Sequence, residues 1–246
     1  MALKATNLTV KVEDKEILKN TSLELNSGDV KFLFGKNGAG KSTFAQAIMG
    51  NPQFHILSGE LFVDDEEMIS TKPEDRAKKG LFVSFQNPPE LEGVSVINFL
   101  HTIYVERFGN EDELSRSTFK FRKHLMKLMD IVGISTEFLE RSFNVGFSGG
   151  EKKRMEILQL LLLRPKYVIL DEIDSGLDIH AMSMLENVVK EMISGGSAVL
   201  FISHNIDLIS HFENALVSII DGGEITQNGG LELVQIFKDN SPEKDS

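Results

Sequence analysis

The feature that most constrains this chain is the run Gly35, Lys36, Asn37, Gly38, Ala39, Gly40, Lys41, Ser42, Thr43. It follows a short apolar segment, Val30-Lys31-Phe32-Leu33-Phe34, and precedes Phe44, Ala45, Ala47, Ile48 and Met49, which recur at helical spacing. A buried strand, a G-x-x-x-x-G-K-[ST] loop and a helix in that order make an anion cradle. Loop N–H groups converge on the ligand, the helix start adds positive partial charge, and the glycines let the backbone come close. The expected ligand is a nucleotide, held by all nine residues from Gly35 to Thr43. Lys41 would reach its β- and γ-phosphates, and the Ser42 hydroxyl would ligate Mg²⁺.

A loop of this kind needs a sheet to carry it, and 246 residues suffice for one. Alternating or apolar runs predict strands over 3–10, 17–25, 30–34, 59–63, 81–85, 167–170, 198–202, 215–220 and 224–227. Between about 95 and 163 the periodicity turns helical, with further helices opening at Pro73 and over 179–193. The chain has no cysteine, which excludes disulfides and thiolate metal sites. A net charge of −11 without a basic stripe argues against nucleic acid as a partner. The first residues lack a signal-peptide core, and no apolar run approaches the eighteen or so residues of a membrane span. The expectation is a cytoplasmic protein with no direct membrane insertion.

Two further constellations carry chemistry. Tyr167-Val168-Ile169-Leu170 runs into Asp171-Glu172 at the end of a buried strand, where α/β folds place ligands. Asp171 can hold Mg²⁺, and Glu172 is placed to polarise a water for attack on a γ-phosphate. Ser148-Gly149-Gly150-Glu151 opens a helix with a strong N-cap and bare backbone donors, a second anion site.

Taken together and in order, these motifs resemble the ATP-binding-cassette (ABC) ATPase family over almost the whole chain. The resemblance implies a P-loop NTPase cassette: a RecA-like α/β core, an antiparallel β subdomain and an inserted helical subdomain. The boundaries expected are 1–86 and 165–238 for the core, 87–164 for the helical part and 239–246 for a polar tail. By the same comparison Gln86 is the Q-loop glutamine, a catalytic and metal-contacting residue. Asp171 becomes the magnesium aspartate, Glu172 the catalytic glutamate and His204 the switch histidine. Ser175-Gly176-Leu177-Asp178 matches the D-loop. Two cassettes would face each other head to tail with ATP and Mg²⁺ between them, each nucleotide touching Ser148, Gly149 and Gly150 of the opposite copy. The family usually places an aromatic residue near position 12 to stack on adenine, and Val12 stands there. Its absence predicts modest nucleotide affinity and weak base discrimination.

Within that family three stretches, 86–94, 144–154 and 174–179, are similar to the SufC branch. That likeness implies SufB-like and SufD-like scaffold partners and a role in iron–sulfur cluster assembly. The alternative is the ATP-binding subunit of a membrane transporter. In either case the partner would dock near Pro88 to Phe99, with Leu91, Val94 and Val96 as candidate contacts and Glu90 and Glu92 beside them. Lys152 and Lys153, after the signature, could pair with Glu172 and keep it idle.

Overall fold

The computed structural model describes residues 1–203 and 205–240, so His204 and 241–246 of the polar tail lie outside the described residues. The chain divides into two compact units. The first comprises Met1–Val83, Lys166–Glu172 and the chain from Met192 onward; the second comprises Ser84–Pro165 and Ile173–Glu191.

In chain order, β1 (Ala2–Val12) and β2 (Lys15–Asn26) form a hairpin, and β3 (Val30–Phe34) leads into α1 (Lys41–Met49). Next come β4 (Phe54–Val63), β5 (Glu66–Glu67), α2 (Pro73–Lys78) and β6 (Leu81–Val83). The second unit opens with β7 (Leu91–Ser95), α3 (Val96–Phe108), α4 (Glu113–Arg116), α5 (Thr118–Val132), β8 (Ser142–Phe143) and α6 (Gly149–Leu163). After β9 (Tyr167–Asp171) and α7 (Ile179–Ser194), β10 (Ala198–Ile202), β11 (Leu216–Asp221), β12 (Glu224–Gly229) and α8 (Glu232–Asn240) complete the described chain.

Two sheets build the first unit. The larger has the order β12-β11-β3-β10-β9-β6, parallel except for β12 at one edge. Its inner strands β9 and β10 are buried at every residue, as continuous apolar runs in a covered parallel sheet must be. The smaller sheet, β2-β1-β4-β5, is antiparallel and alternates inward and outward residues. Leu8, Val10, Leu18 and Leu25 from the smaller sheet share one buried cluster with Ala45 and Ile48 of α1 and with Leu33, Ile169 and Leu200 of the larger one. Helix α1 is therefore packed into the core by its apolar stripe, and the loop before it has a fixed base. Phe32 and Phe201 stack with ring centroids 4.9 Å apart, and Phe212 lies 5.6 Å from Phe201.

The second unit is helical. Phe121, Leu125, Leu128, Met129 and Val132 give α5 a buried face, Ser117 caps its start, and Gly133 ends it at φ 66°. Helix α6 begins with a complete capping box between Ser148 and Glu151. Four details depart from the sequence-based expectation. The strand expected over 81–85 ends at Val83, before the Pro88-Pro89 break, while β4 starts earlier than expected, at Phe54. Helix α8 was not expected, although Leu233 and Phe237 keep helical spacing. Val96 is fully buried, so it is no surface contact; Val94 is exposed and Leu91 half-buried. Among the described residues, no helix is long and apolar enough to cross a membrane.

Candidate functional site

Strand register assembles the first half of the site. Leu33 of β3 pairs with Ile202 of β10, and Ile202 pairs with Asp171 of β9. One row across the sheet thus ends in the glycine-rich loop, the segment after β10, and Asp171-Glu172. All three leave the sheet at its carboxyl edge, where open α/β sheets hold their ligands.

The loop is shaped by its glycines at two positions in particular. A side-chain Cβ on Gly35 would lie 2.5 Å from the Ile220 carbonyl oxygen. Gly40 has φ 110°, and a Cβ there would lie 2.6 Å from Leu18 Cδ2. Only glycine lets the loop turn this tightly against β2 and β11. Gly40 caps α1 without a side-chain hydrogen bond, and the first turn contains no acidic residue. The helix start therefore keeps its orphan donors and its positive end for a ligand. Lys41 is buried, and its ammonium donates to the carbonyls of Gly35 at 2.7 Å and Lys36 at 3.2 Å. Burial lowers its pKa, while the charges of Glu172 and Asp171 oppose that fall. A partly desolvated cation facing two carboxylates is suited to a polyphosphate that brings its own metal.

Asp171 is buried at the end of β9. The Glu172 amide donates to Ile202 O at 2.8 Å, and Glu172 itself sits at φ 53°, a left-handed conformation costly to a residue with a long side chain. A carboxylate and a serine hydroxyl are the hard oxygen donors that magnesium takes, so the residues present fit that ion.

The second unit holds the remaining candidates. Ser148 Oγ accepts from Glu151 N at 3.3 Å, while a Glu151 carboxylate oxygen accepts from Ser148 N at 2.7 Å and Ser148 Oγ at 2.8 Å. These bonds from Ser148 hold the Glu151 carboxyl below its ordinary range. The Cβ positions of Gly149 and Gly150 face open space. Gln86 is exposed in the loop after Ser84. Lys152 pairs with Glu90 at 2.6 Å, and Lys153 donates to the Ser175 carbonyl in the D-loop match. Arg154 reaches Asp178 at 3.0 Å.

The first unit thus brings together Gly35 to Thr43, Asp171 and Glu172, and the second holds Gln86 and Ser148 to Gly150. His204 lies outside the described residues. Val12 ends β1 half-buried opposite Phe54, which packs on the core. Sequence reasoning missed one wall beside the loop. Gly35, Lys36, Ile220, Gln227 and Phe237 line a cavity of about 250 Å³, closed in part by α8.

Residues 18–175 match the family model described as "ABC transporter". A Cyanophora paradoxa protein named "Probable ATP-dependent transporter ycf16" is 37% identical, covering 95% of this chain and 90% of that relative. The Synechocystis protein "Probable ATP-dependent transporter slr0075" is 39% identical over 94% of this chain and 90% of its own length. Among solved structures, a dimeric ATP-binding cassette bound to ADP and Pi superposes with a TM-score of 0.79. It is 19% identical and covers 94% of this chain and 99% of that one, a likeness of fold.

Proposed function

Because this chain belongs to the ABC transporter family and is an ATPase cassette of it, we propose that it is the ATP-hydrolysing subunit of a SufBCD-type iron–sulfur cluster assembly complex. In this reading two copies close head to tail on ATP and remodel a SufB-like and SufD-like scaffold.

The observation that carries the Suf reading is where the three SufC-like stretches fall. Segments 86–94, 144–154 and 174–179 are far apart in the chain, yet all belong to the second unit. Side chains join them there: Lys152 to Glu90, Asn144 to Pro89, and Arg154 to Asp178. Residues that match one branch of the family therefore form one connected structure, as a shared partner surface or drive element would require.

The chemistry assigned to the site is attack of water on the γ-phosphate, with positioning and charge stabilisation as the main terms. The loop amides and α1 hold the β- and γ-phosphates, and Lys41 follows the charge as it develops. Glu172 accepts the proton of the attacking water. Ser148, Gly149 and Gly150 of the opposite copy donate to the same γ-phosphate, and His204 and Gln86 help fix the water and the ion. Ser42, Asp171 and Gln86 would hold Mg²⁺, which would supply neutralisation of the phosphate charge.

Copurification from the native cell extract with and without ATP tests this reading. Recovery with a soluble SufB-like scaffold supports it. Recovery only with a multi-span membrane permease overturns it in favour of a transporter subunit, the role that the relatives' names describe for those proteins.

A further inference from the structure

Residues 85–96 run alongside 141–156 as a continuous seam. Val96 N donates to Arg141 O at 2.9 Å, Leu91 pairs with Phe143, and Asn144 Nδ2 donates to Pro89 O at 3.0 Å. The Lys152–Glu90 ion pair follows. The seam ends where the Phe85 amide donates to Glu156 Oε1 at 2.7 Å.

Glu156 is the anomaly in this seam. It lies in α6, where Met155, Ile157, Leu158 and Leu160 are also fully buried, and only 3% of it is exposed. An apolar residue of that size would bury there without the desolvation penalty of a carboxylate. The bond it makes goes to the amide of the residue immediately before Gln86. Stability alone does not account for a carboxylate in that place.

We propose that Glu156 is a positioning residue which, with Asn144 and Lys152, fastens the Phe85–Glu90 segment to the signature helix so that Gln86 and the Ser148–Gly150 turn move as one body. The proposal rests on the reading of Gln86 and Ser148–Gly150 as nucleotide-facing groups. A fastened seam has a definite consequence: whatever displaces the Gln86 loop also displaces the anion-binding end of α6, with little slack between them.

The test compares Glu156→Leu, which keeps the size and loses the acceptor, with Glu156→Gln, which keeps a carbonyl acceptor, in the full chain. Hydrogen exchange at the Phe85 amide should be faster by about tenfold in Glu156→Leu and near parental in Glu156→Gln. ATP turnover should follow, with kcat lower by about tenfold and KM within about twofold in Glu156→Leu, and rescue in Glu156→Gln. Lys152→Met, which leaves the core intact, should loosen the same amide by about twofold. Unchanged exchange in both Glu156→Leu and Lys152→Met overturns the fastening, and parental kcat in a Glu156→Leu whose Phe85 amide is freed overturns the positioning role. Should Glu156→Leu fail to fold, the Lys152→Met exchange decides. The underlying ATPase reading fails separately, if the parent hydrolyses ATP no faster than Lys41→Ala; the exchange measurements need no nucleotide and still judge the seam.

Discussion

Two helix starts among the described residues suit phosphate, and they are built in opposite ways. Helix α1 begins at a glycine with no side-chain cap and no acid in its first turn. Helix α6 begins with a full capping box, its own Glu151 carboxylate holding the Ser148 amide and hydroxyl. The first is open to an anion at all times. The second carries an anion of its own, which an incoming phosphate must displace or share. On the proposed head-to-tail reading, a nucleotide would bind first at α1, and α6 would engage only when the opposite site offered enough negative charge to compete. That order suits a cycle in which ATP loading precedes closure of two copies.

The most severe test of the comparison strikes the chemistry at the α1 side. Glu172→Gln should retain ATP binding and lose turnover by roughly 100- to 10,000-fold, the range for a positioned general base. Rapid hydrolysis by that variant would remove Glu172 from the role given to it. Lys41→Ala should weaken ATP binding by roughly 100-fold in calorimetry, since it removes charge-assisted bonds from the open cradle. Parental affinity would mean that the bare helix start does not depend on its lysine. Glu151→Gln sharpens the contrast at α6. ATP-dependent association of two copies, followed by sedimentation, should tighten by about threefold, while stability drops by about 0.3–1 kcal/mol as the cap weakens. Weaker association would show that Glu151 assists the ligand rather than competing with it.

The smallest effect is one of pH. Burial pushes the Glu156 carboxyl up to about 7 from an ordinary value of 4.5, against the lowering pull of its Phe85 hydrogen bond and Lys153. The folded chain therefore binds that proton more tightly than the unfolded chain does. Its contribution to stability is intact below pH 4.5 and declines as pH rises towards 7. Glu156→Gln should flatten thermal melting temperature across that window by comparison with the parent. Equal slopes in the two proteins would place the Glu156 carboxyl back in the normal range.

Much of the first half of the site was legible because it is local. A strand, a glycine-rich loop and a helix lie within twenty residues, and Asp171-Glu172 closes a run of four apolar residues, so spacing alone fixes their geometry. The parallel strands were readable for the same reason: burial on both faces leaves an unbroken apolar signature. What stayed hidden depends on distant partners. Val96 belongs to an apolar stripe, and periodicity shows that a stripe exists without showing whether a given member faces the interior or a partner. The charge of Lys152 was visible, but its engagement by Glu90 joins positions sixty-two apart. Nothing in the sequence around Glu156 marks it as buried, since a lone glutamate between apolar neighbours commonly faces solvent. Helix α8 was concealed by its polar surroundings, although it closes one wall beside the loop.

The backbone at Glu172 carries a last consequence. Glycine or asparagine would occupy φ 53° with less strain than a glutamate does. A protein selected only for durability would place one of those residues there. Replacing Glu172 by glycine should accordingly give a cassette that melts later and works worse. Thermal robustness and turnover would then be set against each other at a single position, and a screen for hardier variants of this chain would tend to recover inactive ones.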